Sequence, residues 1–146
     1  MDHTSGALLS AFSFTWLGLV LGISFLEAPL KFRAPGVTIP LGLGIGRLVF
    51  RALNVVECVL AAGLVVAVAL GGFAVPAGAL VVAVLVLLAI QLAAIRPRLN
   101  RRTDRVLSAP DGADLPRSHA HVAYVAIELV KVVALLSLGI TALRPG

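Results

Sequence analysis

Three ionisable residues, Glu57, Glu128 and Lys131, stand inside long apolar runs. A charge at the centre of a membrane-spanning helix costs about +2.5 to +3.5 kcal/mol on insertion scales. Such groups therefore turn inward and pair, and they often mark ion, proton or ligand sites. The spacing permits pairing here. Arg47, Asn54 and Glu57 share one stripe of a helix, with Arg51 one turn beyond Arg47, and His121, Tyr124, Glu128 and Lys131 share one stripe of another. At about 1.5 Å per residue, Glu57 lies roughly 15 Å beyond Arg47, and Glu128 and Lys131 lie at a similar depth beyond His119. Glu57 and Lys131 are expected to neutralise each other near mid-membrane, while Glu128 and Lys131 can also meet at i,i+3. Two carboxylates and one ammonium leave one negative charge over, which a further cation, a shared proton or a transported ion would balance. Glu57, Glu128, Lys131, Asn54, Tyr124, His121 and Arg47 are thus the candidates for an ion, proton or ligand site.

Other chemistries fit less well. His119 and His121 stand two apart on a helix and point away from each other, and His121 is two turns from Glu128, so no metal site is expected. No cofactor is implied and no residue is assigned a catalytic role. The glycines at Gly42, Gly44 and Gly46 lack the Gly-Lys-Ser/Thr ending and preceding strand of a phosphate loop. His121, Tyr124, Arg47 and Asn54, grouped near one membrane face, could instead receive an anionic headgroup. Glu27 is expected to pair structurally with Arg47 or Arg51, and Trp16 to serve as core packing. The single cysteine, Cys58, excludes an internal disulfide and reads as a small buried thiol.

The elements that must hold these residues follow from composition. Sixty per cent of the 146 residues are hydrophobic and 13% are charged, whereas a soluble domain is about 45–50% apolar. That excludes a water-soluble globular protein, a disordered chain and a disulfide scaffold, and leaves an all-α integral membrane four-helix bundle. No charge occurs from Thr4 to Leu26 or from Cys58 to Ile95, and Gly71, Gly72 and Pro76 divide the second run into two spans. Helices are predicted near 7–27, 47–70, 76–95 and 119–143, in a single domain covering residues 1–146. Residues 34–46 are apolar yet broken by prolines and glycines; they either lie in the interface, start the second helix near Leu41, or dip back into the membrane. The first run lacks the basic start of a cleaved signal peptide and is expected to be retained.

Of the 12 lysines and arginines, all but Lys131 and Arg144 fall in or beside the first and third connections. The positive-inside rule then places both long connections in the cytoplasm and both termini outside, in the cell membrane. The basic stretch 96–118 is expected to be an irregular cytoplasmic loop whose arginines attract anionic lipid headgroups. The net charge of +5 is explained by this topology, so nucleic acid is not implied as a partner. Gly18 and Gly22 form a GxxxG pair, which makes a homodimer a candidate assembly.

Trp16-Leu17-Gly18, the run Phe25-Leu26-Glu27-Ala28-Pro29-Leu30-Lys31-Phe32, the Arg47-Leu48-Val49-Phe50 start and the Arg96-Pro97-Arg98 exit resemble small four-helix membrane proteins of the transmembrane protein 205-like family. The resemblance implies a four-helix membrane fold and supplies no catalytic residues. Three functions fit the sequence. The first is a small proton- or ion-coupled permease centred on Glu57, Glu128 and Lys131. The second is an enzyme or binding protein acting on a lipid or isoprenoid headgroup at the cytoplasmic face, and the third is an accessory subunit whose ions specify helix pairing.

Overall fold

The computed structural model describes residues 2–72, 74–110 and 119–144. Four helices, each long and apolar enough to cross a membrane, make up nearly all of it: α1 (His3–Arg33), α2 (Ile39–Gly71), α3 (Val75–Ser108) and α4 (His119–Leu143). Each start has a local cause. The Asp2 carboxylate accepts the Ser5 N–H (2.7 Å) at the head of α1, and that bond holds the carboxyl below its usual range. At the head of α2 the Thr38 hydroxyl accepts the Leu41 N–H (3.3 Å), while Pro40 occupies the first turn, where its missing N–H costs nothing. Gly72, at φ +64°, ends α2 in a backbone region that side chains disfavour, and Pro76 stands in the first turn of α3.

The segment 34–46 resolves into a short bend and then helix. Gly42 and Gly46, one turn apart, are bare because the Phe32 ring and the Lys31 ammonium lie where their Cβ atoms would be. The glycine-rich pattern is therefore the seat on which the end of α1 rests.

The predicted loop after residue 95 is corrected by the structure: the chain stays helical through Arg96–Ser108. Pro97 would ordinarily interrupt a helix, since it lacks an N–H and its ring strikes the carbonyl four residues back. Here a π-helical stretch, Gln91–Ile95, immediately precedes it. The wider turn there alters the carbonyl pattern that the proline meets. The same device recurs in α1, where the π stretch Leu21–Glu27 precedes Pro29. Residues 111–118, including Arg117, lie outside the described residues.

The helix α1 is the centre of the bundle, packed on α4 and α2, and α3 packs mainly on α4. Leu9, Trp16, Val20, Leu64, Leu135 and Leu138 are fully enclosed. Small groups allow the close α1–α4 approach: the Ser10 hydroxyl donates to the Gly139 carbonyl (3.2 Å). A Cβ added at Gly18 or Gly22 would meet nothing within 4 Å among the described residues.

Candidate functional site

The apolar core is interrupted at mid-bundle by charge. Glu57 and Lys131 have no exposed surface and Glu128 has 1%. The stripes on α2 and α4 face each other, bringing the Lys131 Nζ 2.5 Å from Glu57 Oε2 and 2.6 Å from Glu128 Oε1. The third contact is Gln91 Oε1, at 2.7 Å. The contacts to Glu57 and Gln91 are hydrogen bonds, and that to Glu128 is an ion pair.

The carboxylates are supported unequally. Glu128 Oε1 also accepts from Gln91 Nε2 (2.7 Å), and Oε2 accepts from the Ser24 hydroxyl (2.7 Å). Glu57 Oε2 accepts from the Trp16 indole N–H (2.8 Å) as well as from Lys131, but its Oε1 is buried with no partner. All four helices therefore contribute, through Trp16 and Ser24 from α1, Glu57 from α2, Gln91 from α3, and Glu128 and Lys131 from α4. With Glu57 and Glu128 ionised, the cluster carries one negative charge in excess.

Both π segments serve this cluster. Ser24 lies in the first and Gln91 opens the second, and each segment delivers one hydrogen bond to Glu128. A π turn inserts an extra residue and so re-aims what it carries; such turns recur at functional sites.

Above Glu128, toward the arginine-rich end, a cavity of about 430 Å³ opens among α1, α2, α3 and α4. That is within the ~300–1,000 Å³ range of small-molecule sites. Glu128 lies at its wall, and Lys31, Arg47, Arg96 and Arg102 supply positive charge. Two of these cations have acidic neighbours: Arg47 meets Asp104 (2.6 Å) and Lys31 meets Glu27 (3.7 Å). Arg96 lies against the edge-to-face pair of Phe50 and Tyr124, 4.7 and 4.8 Å from their ring centroids. Its Nε and Nη2, the Nε of Arg102 and the hydroxyl of Tyr124 are buried without hydrogen-bond partners among the described residues.

The remaining sequence candidates are dispersed. Tyr124 is buried in the cavity wall, and His121 is exposed at the cavity's edge. Arg47 donates to the Asn100 carbonyl (3.0 Å) as well as to Asp104. Asn54 makes no contact with the charged cluster; with Arg51 it lines a separate outer groove between α2 and the basic end of α3. Glu27, expected to meet Arg47 or Arg51, pairs with Lys31 one turn along its own helix instead. Cys58 is exposed rather than buried, because one residue of helix turns it about 100° away from the inward-facing Glu57.

Three contributors lie on inward-facing positions but were not among the expected site residues. Trp16 is a hydrophobic residue whose single N–H is its functional part. Ser24 and Gln91 reach Glu128 from within non-α turns, and the signal for those turns was a proline, Pro29 or Pro97, in a run that stays helical. Compared with family models, with curated proteins and with solved structures, the chain matches none.

Proposed function

We propose that this protein is a small proton- or ion-coupled permease of the cell membrane, with its arginine-rich end in the cytoplasm and both termini outside. The positive-inside distribution supports the orientation. The observation that carries the activity is that Glu128 belongs both to the buried ion cluster and to the wall of the open cavity. An ion lock meant only to fix helix pairing has no need of a chamber at its side. Inter-helix polar contacts in membranes average about 0.6 kcal/mol, small against the cost of placing three ions there.

The surplus negative charge is balanced when the cluster takes up one proton. Glu57 Oε1 is the free position on the inner acid, and Glu128 lies in the cavity wall with both oxygens engaged. Occupancy of the cavity and the position of that proton are thereby linked through one ammonium.

Proteoliposomes holding a pH-sensitive dye test the reading. With octanesulfonate, a permanently charged organic anion, added on one side, the wild-type protein is expected to move protons with the anion, and Glu128→Gln to abolish that movement. Glu128→Gln transporting like the wild type, or no proton movement by the wild type, would overturn the proposal.

A further inference from the structure

The cavity has a binding edge already set. We infer that Arg96 is the seat for an oxyanion carried on an apolar chain (a sulfonate, carboxylate or phosphate monoester), which names the substrate class of the proposed permease and rests on that reading only for transport, not for binding.

The unmet donors decide the chemistry. Nε–H and Nη2–H form one edge of the guanidinium, the fork that meets two oxygens of a carboxylate or phosphate side by side. Both are buried and neither has a partner among the described residues. Phe50 and Tyr124 meet the group through their rings, which accept neither of these N–H bonds. Buried donors without acceptors carry an uncompensated desolvation cost, larger when charged, so an arrangement that holds several at one cavity favours an acceptor from outside. The Tyr124 hydroxyl and Arg102 Nε at the same cavity are two further unpartnered groups.

Charge points the same way. Arg47 and Lys31 face Asp104 and Glu27, but Arg96 and Arg102 have no acidic partner among the described residues. Glu128, the one carboxylate in the wall, has both oxygens engaged by Ser24, Gln91 and Lys131, which screens it from an incoming anion. The rest of the ligand is set by Phe25, Phe32, Leu43 and Val125, which give the wall an apolar surface suited to a chain. A bare inorganic anion would leave that surface uncovered.

The test is calorimetric titration of the purified full-length protein in phosphatidylcholine nanodiscs with octanesulfonate, methanesulfonate and octyltrimethylammonium. Octanesulfonate is expected to bind at least tenfold more tightly than either of the others. Arg96→Lys, which keeps the charge and loses the fork, is expected to weaken it at least tenfold. Tyr124→Phe should weaken it about threefold with the fold intact by circular dichroism, and Arg98→Gln, at an exposed arginine, should leave it unchanged. Phosphatidylglycerol retained through delipidation by the wild type and not by Arg96→Lys would identify a lipid as the natural source of the anion. Its equal loss from both, with octanesulfonate binding kept in the wild type, would identify a free amphiphile. Equal octanesulfonate binding by wild type and Arg96→Lys, or equal binding of octyltrimethylammonium, overturns the proposal. Binding through Arg96 without proton movement would sink the coupled permease and keep the anion seat, and proton movement without such binding would do the reverse.

Discussion

The mid-bundle cluster and the cavity above it use the same side-chain chemistry to opposite ends. Around Lys131 the ammonium has two hydrogen-bond acceptors and a second carboxylate in ion-pair contact, supplied by α2, α3 and its own helix. Around Arg96 two rings contact the guanidinium, and its Nε–Nη2 edge has no acceptor among the described residues. One cation is bonded into the fold; the other is only placed by it. Burial alone does not separate a structural ion from a binding one. The accounting of donors and acceptors does, and Glu128, shared by both regions, is where the two meet.

The sharpest way to break this contrast is to remove each cation in turn. Lys131→Met leaves two carboxylates buried without their counter-ion and is expected to destabilise the protein by about 3–5 kcal/mol, read from unfolding in detergent. Ser24→Ala removes one hydrogen bond to Glu128 and should cost about 1–2 kcal/mol by the same measurement. Arg96→Met, which deletes donors that have no partner while keeping an apolar side chain against the rings, should stay within about 1 kcal/mol of wild type in the absence of ligand. A loss at Arg96 as large as that at Lys131 would mean that both cations are structural and would erase the distinction.

The charged residues of the cluster were legible because ionisable groups inside apolar runs have few options: Glu57, Glu128 and Lys131 fall on stripes that can only face one another. Arg96 was not, since six arginines fall between residues 96 and 117 and a sequence gives no means of telling a buried one from its exposed neighbours. The helical course of Arg96–Ser108 was hidden for a related reason, because polar residues and a proline read as loop unless the preceding turn is known to be wide. Glu27 shows the limit of depth arguments. Its partner could be any cation near that level, and the nearest one was on its own helix.

The two wide turns have a mechanical meaning. Each holds one residue more than an α-helix needs over the same stretch, and every residue along a helix corresponds to about 100° of rotation. Glu128 is therefore held between two spans that carry slack next to it, at Leu21–Glu27 and Gln91–Ile95. Returning either span to the ordinary winding would swing its contact off the acid without moving α4 at all.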